Sequence, residues 1–246
     1  MKWLRRAIVA ILGLLIAAVS IFVLWAMNPL PPMPEALAAL TSTPLVQVEM
    51  QRWLVFTPRA APPATGFVFY PGGRVDPRSY APAAQALAEH GILVVITPMP
   101  LNLAVFGADR AAEVIAAYPH ITRWAVGGHS LGGTAAASFA RRHAGQVSGL
   151  VLWAAYPADA DDVSALPLVV ASIYGALDGV SPPERITSAQ PLLPTSALWV
   201  AIDGGNHAQF GWYGVQERDN PATISRVEQQ QRAVEATLQV LRALPH

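Results

Sequence analysis

Ser130 lies in a short motif that is typical of an activated serine nucleophile. The residues Gly128-His129-Ser130-Leu131-Gly132 match the pattern Gly-x-Ser-x-Gly, between a strand-like segment and a helical one. A sharp turn at this point would hold the serine in strained backbone geometry at the carboxyl end of a strand. Glycines on both sides permit such a turn, because a Cβ there would collide with neighbouring backbone. The alternative is a glycine-rich turn with an idle serine.

A serine hydroxyl needs a general base, and His207 is the candidate among six histidines. It follows the strand-like segment 197–202 within Gly204-Gly205-Asn206-His207. Catalytic loops of open α/β sheets collect at the carboxyl ends of strands. His129 adjoins the serine on a tight turn and is expected to be a pocket or packing residue. The alternative for His207 is a loop histidine that faces water.

Asp178 is the candidate acid that would orient the base and stabilise its charged form. It follows the strand-like segment 168–174, and the order Ser130, Asp178, His207 is the chain order expected of such a hydrolase. Asp203 is four residues before His207, which is too near for an easy side-on hydrogen bond. The cluster Asp159, Asp161 and Asp162 follows another strand, but a solvated loop explains it better.

Two backbone N–H groups must face the charge that develops on a reacting carbonyl oxygen. The first is expected at Leu131, which follows the serine and begins a helix. The second is expected in the loop Tyr70-Pro71-Gly72-Gly73-Arg74, at Gly73, with Arg74 as the alternate. Plain turn glycines are the competing interpretation.

These candidates need a sheet that places several strand ends side by side. Short apolar runs alternate with longer helical patterns, which favours βαβ units and a parallel sheet covered on both faces. The predicted strands are 66–70, 92–97, 123–126, 147–154, 168–174 and 197–202, with one or two more in 45–56. The main predicted helices are 82–90, 108–118, 131–143 and 223–244. Asn220 before Pro221, or the Ser225-x-x-Glu228 box, would begin the last helix.

Composition excludes several classes of protein. The chain has 246 residues, 53% of them hydrophobic and 13% charged, so it is not disordered. It has no cysteine, which excludes a disulfide framework and zinc-thiolate or iron–sulfur sites. With 16 basic and 16 acidic residues it lacks the basic surface of a nucleic-acid-binding protein. No spacing of ligand residues predicts a metal.

The N-terminal segment predicts a transmembrane anchor. Lys2, Arg5 and Arg6 precede residues 7–27, which carry no charge and are long enough to cross a bilayer. Trp3 and Trp25 flank this segment, as interfacial aromatics do. The basic end should stay in the cytoplasm, which places the remainder outside the cytoplasmic membrane. A cleaved signal peptide is the alternative, although its apolar region would be shorter.

The sequence divides into three parts. Residues 1–27 are the basic end and the anchor. Residues 28–44 contain five prolines and predict a stiff, partly extended linker that lifts the next domain off the membrane. Residues 45–246 are the domain that would carry Ser130, Asp178 and His207.

As a set, four segments resemble the α/β-hydrolase superfamily: FVFYPGGRVDPRSYAP, GGHSLGG, IYGALDG and GGNHAQFGWYG. They are most similar to small bacterial members related to dienelactone-hydrolase-like proteins, over roughly residues 45–246. The resemblance implies a largely parallel sheet of about eight strands, a Ser130-Asp178-His207 triad, and no metal or organic cofactor. Dienelactone hydrolases carry a cysteine nucleophile, which this chain lacks, so their substrate does not transfer. About a dozen residues separate Ala154 from Leu168, where many members insert a lid, so no large lid is expected.

The predicted activity is hydrolysis of an ester-like bond in a partly apolar small molecule. Three apolar groups could line the pocket: Met99, Leu101, Leu103 and Phe106; Trp153 and Tyr156; and Phe210, Trp212 and Tyr213. Transfer of the acyl group to an alcohol, or peroxide chemistry, would use the same triad. A membrane-tethered binding module on an inactive hydrolase scaffold is the alternative from another class. The sequence does not determine the oligomeric state.

Overall fold

The computed structural model describes residues 2–245 and has eight strands in one mostly parallel sheet. The strand order is β1-β2-β4-β3-β5-β6-β7-β8. The strands are β1 (Val46–Met50), β2 (Leu54–Pro58), β3 (Thr65–Tyr70), β4 (Ile92–Ile96), β5 (Arg123–His129), β6 (Gly149–Trp153), β7 (Val169–Gly175) and β8 (Leu198–Ile202). The predicted strand region 45–56 forms an antiparallel hairpin, β1 and β2, at one edge. The other six strands, in the order β4-β3-β5-β6-β7-β8, are all parallel to their neighbours.

Helices cover both faces of the sheet. They are α1 (Lys2–Ala26), α2 (Pro34–Ala38), α3 (Ala81–Glu89), α4 (Arg110–Ala117), α5 (Leu131–Arg142), α6 (Pro183–Ser188) and α7 (Arg226–Arg242). One apolar layer lies between the sheet and α3 and α7, and a second lies between the sheet and α4 and α5. Successive residues of β3 alternate between these layers, since side chains of a strand point to opposite faces. This two-sided burial explains why its sequence is apolar throughout.

The last helix begins where one of the two predicted caps stands. Ser225 is the N-cap of α7, and its hydroxyl accepts the backbone N–H of Glu228 at 3.1 Å. The loop between β6 and β7 (residues 154–168) contains neither helix nor strand, so a large lid is absent from this part of the described chain.

The segment 28–44 differs from the predicted spacer, because it folds back onto the rest of the protein. Leu30 pairs with Val75 in a β-bridge, and Met33 donates its backbone N–H to Trp212 O at 2.8 Å. Ala36, within α2, is fully buried. The prolines do restrict the backbone, but Pro34 stands at the start of α2, where proline is well tolerated. Leu30, Ala39 and Leu40 pack against the core.

The division at residues 27/28 and 44/45 remains a prediction, and its outer ends, Met1 and His246, lie outside the described residues. Helix α1 is long and apolar enough to cross a membrane. A helix of this kind at an N-terminus is either an anchor or a signal sequence.

Candidate active site

The predicted site residues follow four strands at the carboxyl edge of the sheet. Gly73 follows β3, Ser130 follows β5, Asp178 follows β7 and His207 follows β8. Strands β3 and β5 are neighbours, and so are β7 and β8. The topology therefore places two pairs of candidates on one edge.

Ser130 occupies a strained turn between β5 and α5. Its φ is 52° and its ψ is −126°, a conformation that residues with a Cβ rarely adopt. A Cβ on Gly128 would lie 2.5 Å from Tyr70 O, and one on Gly132 would overlap the carbonyl oxygens of Tyr70 and Pro71. The two motif glycines are thus required because backbone from the loop after β3 passes directly against the turn.

The structure brings Asp178 and His207 together. His207 Nδ1 lies 2.8 Å from Asp178 Oδ2, and both side chains are fully buried. The other carboxylate oxygen, Oδ1, accepts the backbone N–H groups of Val180 at 2.8 Å and Ser181 at 2.6 Å. The carboxylate is therefore held by its own loop and oriented toward the imidazole.

The second nitrogen of His207 is available for chemistry. Nε2 is buried and has no hydrogen-bond partner among the described residues, so no Oγ–Nε2 bond to Ser130 is formed. The ring of His207 lies 4.5 Å, between centroids, from the ring of His129, which directly precedes Ser130. Hydrogen bonds between a nucleophile and its base are often long without substrate and shorten in the complex.

His129 is a buried neighbour of the candidate base. Its Nδ1 lies 2.9 Å from the hydroxyl of Tyr80, which also accepts the backbone N–H of Gly72 at 3.0 Å. Since Tyr80 accepts from Gly72, its own proton is free to point to His129. Burial lowers the pKa of His129 well below its usual value, and the charge of nearby His207 lowers it further. A neutral His129 therefore links the loop after β3 to the base.

Gly73 and Leu131 lie side by side. A Cβ on Gly73 would be 3.2 Å from Leu131 Cδ2 and 3.5 Å from Leu131 Cβ. As the first residue of α5, Leu131 has no acceptor for its N–H within the helix. Arg74, the alternate donor, has a φ of 54° and uses its N–H to bond Asn102 O at 2.8 Å. This leaves Gly73 as the better-placed candidate in the loop.

Sequence reasoning missed Asp219, which connects the loops of the acid and the base. Its carboxylate accepts the backbone N–H groups of His207 at 3.2 Å, Ala208 at 2.7 Å and Gly179 at 3.1 Å. Gly179 directly follows Asp178. No motif distinguishes Asp219 from other loop acids, because its partners are distant in the sequence.

Gln229 of α7, also missed, holds the same base loop. Its side chain bonds the backbone of Asn206 in both directions, accepting from N at 2.9 Å and donating to O at 2.7 Å. A fully buried glutamine on a helix is uncommon, and that polarity within an apolar stripe is the one signal that could have indicated it.

The rival acids have other surroundings. Asp162 accepts the N–H of Ser164 at 2.8 Å, and Asp161 lines a separate cavity. Asp203, at the end of β8, is exposed, whereas Asp178 is 2% exposed and bonded to His207.

Two of the predicted pocket aromatics belong to the core instead. Trp153 and Phe210 are buried, with ring centroids 5.9 Å apart, and the indole N–H of Trp153 donates to Thr237 at 3.0 Å. Phe106 is exposed, whereas Met99, Leu103 and Tyr213 are largely buried. Trp153 lies in β6 and Phe210 lies in a short 3-10 turn, and both pack in the apolar layer beneath α3 and α7.

A cavity of about 680 Å³ lies against α5, the helix that begins directly after Ser130. Its lining includes Phe106, Arg110 and Thr134 but none of Ser130, Asp178 and His207. Thr134 is one helical turn from Ser130 and donates its hydroxyl to Tyr156 O at 2.8 Å.

Among residues 2–245 no three His, Asp or Glu side chains are grouped so that they could hold a metal ion. Independence from metals and organic cofactors remains a prediction.

Comparison with known proteins identifies the class. Residues 66–231 match the model of the alpha/beta hydrolase family, and the chain belongs to that family. Membership supports a hydrolase with a small-molecule substrate. No curated protein sequence matches the chain.

Two solved structures share the fold. TT1662 from Thermus thermophilus is 14% identical, with a TM-score of 0.58 over 80% of this chain and 99% of that one. A predicted CIB-like hydrolase from Thermoplasma acidophilum is 13% identical, with a TM-score of 0.61 over 81% of this chain and 99% of that one. At these identities the likeness concerns the fold alone.

Proposed function

We propose that the protein is a serine hydrolase that cleaves an ester-like bond through an acyl-enzyme on Ser130. The observation that carries the proposal is the buried His207–Asp178 hydrogen bond of 2.8 Å, with His207 Nε2 left without a partner. A buried imidazole that is fixed at one nitrogen and free at the other is suited to accept a proton. The strained turn at Ser130 supports the role of nucleophile.

The proposed reaction has two halves. His207 Nε2 takes the proton of Ser130 as Oγ bonds to the carbonyl carbon, and the proton then passes to the leaving alcohol as the ester C–O bond breaks. Water repeats the sequence, donating its proton to His207 as it attacks the acyl-enzyme, and Ser130 regains a proton when the acid departs. The backbone N–H groups of Gly73 and Leu131 would hold the oxyanion, each worth on the order of 10²-fold in rate.

A fluorophosphonate probe tests this function because it reacts only with an activated serine. We expect the full-length protein in detergent to be labelled, and Ser130→Ala to abolish labelling. Ser188→Ala, which removes an exposed hydroxyl from α6, is the matched control and should label normally. Absence of labelling in the wild-type protein would favour a binding module on an inactive scaffold.

We further propose that α1 is an uncleaved anchor, with the hydrolase domain on the extracytoplasmic side. Nearly all side chains of this 25-residue apolar helix are uncovered by the protein, and Ala26 is its one buried residue. Such a surface is stable only in a bilayer. The end of α1 is hydrogen-bonded to Arg74 and Asn102, which favours retention over removal. Intact mass spectrometry of the protein from membranes tests this, and a soluble form that begins near residue 28 would contradict it.

A further inference from the structure

The carboxyl end of α1 is capped by two loops of the hydrolase domain. Arg74 donates Nε–H to Trp25 O at 2.9 Å and Nη2–H to Asn28 O at 2.7 Å, and its guanidinium lies 4.3 Å from the centroid of the Trp25 ring. Asn102 donates its side-chain N–H to Ala26 O at 2.9 Å. The last carbonyls of a helix have no partners within it, so these contacts fix where α1 leaves the domain.

The capping residues adjoin the proposed oxyanion site. Arg74 directly follows Gly73, and its backbone N–H bonds Asn102 O at 2.8 Å. Leu103, next to Asn102, has its Cδ2 3.7 Å from where a Cβ of Gly73 would lie. Arg74 thus connects the two features. Its side chain contacts the end of α1, and its backbone directly follows Gly73, a proposed donor to the reacting carbonyl.

The length of α1 sets the depth of this junction. Its 25 residues extend roughly 37 Å at 1.5 Å per residue, against a hydrocarbon core of about 30 Å. Trp25 near its end is the type of residue that settles at the headgroup level, and Arg74 stacks on it. The loop that carries Gly73 therefore lies at the membrane surface.

An exposed apolar turn lies next to the same loop. Val105 and Phe106, two and three residues after Leu103, are 56% and 55% exposed. Met27, at the end of α1, is exposed as well. The β6–β7 loop forms no helix that could act as a cover. Continuity with the anchor points to the bilayer, rather than a protein, as what meets this turn.

We propose that the physiological substrate is an acyl ester of a bilayer-resident lipid, whose hydrocarbon chain stays in the outer leaflet while its carbonyl reaches Ser130 at the headgroup level. The hydrocarbon chain of the substrate passes Phe106, and water releases the fatty acid from the acyl-enzyme as described above. This inference rests on the proposed hydrolase function and on the anchor. It adds that the substrate is reached within the membrane that holds the protein.

Vesicles distinguish a membrane substrate from a dissolved one. Full-length protein is reconstituted in phosphatidylcholine vesicles with 4-methylumbelliferyl palmitate either in the same vesicles or in separate ones, at equal total concentration. We expect cleavage to be at least about tenfold faster in the same vesicles, because sharing a bilayer raises the effective concentration. The soluble 4-methylumbelliferyl acetate should be cleaved equally in both mixtures.

The outcomes separate this inference from the function on which it rests. Cleavage of the acetate with equal palmitate rates in the two mixtures, or with no palmitate cleavage, overturns the lipid substrate alone. No acetate cleavage, together with no fluorophosphonate labelling, overturns the hydrolase function itself.

A pair of variants tests the entry route past Phe106. Phe106→Ser should lower the ratio of same-vesicle palmitate rate to acetate rate several-fold. Leu45→Ser is the matched control, because Leu45 is also 56% exposed. It precedes β1, which runs in the same direction as β4, so it lies at the amino ends of the strands, away from the carboxyl ends that carry the site. This variant should leave the ratio unchanged. The same ratio in Phe106→Ser as in Leu45→Ser would overturn the proposed route.

Discussion

Asp219 supports His207 through the backbone rather than through the imidazole ring. Its Oδ1 accepts the N–H of His207 at 3.2 Å and also that of Gly179 at 3.1 Å, while Oδ2 accepts Ala208 N at 2.7 Å. A single carboxylate thus joins the loop of the proposed acid to the loop of the proposed base. We expect the distance between Asp178 and His207 to depend on this connection.

Asp219→Asn is expected to lower kcat on a small activated ester on the order of 10²-fold, since displacements of about 1 Å have such effects. The amide keeps one acceptor but turns an N–H₂ group toward backbone donors. KM should change little, because Asp219 is a positioning residue. Steady-state kinetics measures both constants. Asp162→Asn is the matched control, since Asp162 also accepts a backbone N–H, that of Ser164 within the β6–β7 loop. An equal loss there would contradict the role.

Asp178→Asn should lower turnover by about 10⁴-fold and leave the fold intact, as loss of a triad acid does through the wrong imidazole tautomer. The reason is the 2.8 Å bond to His207 Nδ1. Asp203→Asn and Asp161→Asn should have mild effects in the same assay. If Asp161→Asn inactivated the enzyme and Asp178→Asn did not, the acid would have been misassigned.

Ser130→Gly should abolish activity and raise the free energy of unfolding by about 1 kcal/mol, because glycine adopts a φ of 52° without the strain of a Cβ. Chemical denaturation in detergent micelles measures the change. Ser138→Gly, two turns further along α5, is the control and should be destabilising by about 1 kcal/mol. A similar loss at both positions would show that the turn is unstrained.

Stability should fall as the pH drops from 7 toward 5, with His129 as one cause. Burial depresses the pKa of His129 in the folded protein, so the unfolded chain binds its proton first, from about pH 6.5 downward. The stabilisation that comes from a neutral His129 is therefore complete above about pH 6.5. Below that pH, the free energy of unfolding falls by up to about 1.4 kcal/mol per pH unit. Tyr80 and Tyr213 beside it stay neutral, because burial raises their pKa values.

Denaturation of His129→Gln at several pH values checks this prediction. The variant should show a shallower fall between pH 7 and 5 than the wild-type protein. His120→Gln is the control, since His120 is exposed in a loop in the folded chain as well as in the unfolded one. Equal slopes in wild type and His129→Gln would exclude His129 as a source.

Local sequence was sufficient wherever a short stretch of chain decides the structure. The turn at Ser130 depends on glycines within two residues of it, and the alternation of apolar runs with helices predicted the mostly parallel sheet. The helix α1 was likewise evident from twenty-odd uncharged residues. The placement of Asp178 and His207 after β7 and β8 followed from the order of elements along the chain.

The tertiary structure decided what depends on residues distant in the chain. Asp219 reaches back to Gly179, Gln229 clasps Asn206, and Arg74 holds the end of α1, all over separations of more than ten residues. The segment 28–44 packs on the core although its prolines suggested a spacer. A side chain's partners in such contacts depend on how the sheet orders its strands and how loops cross its edge, and no local spacing encodes that geometry.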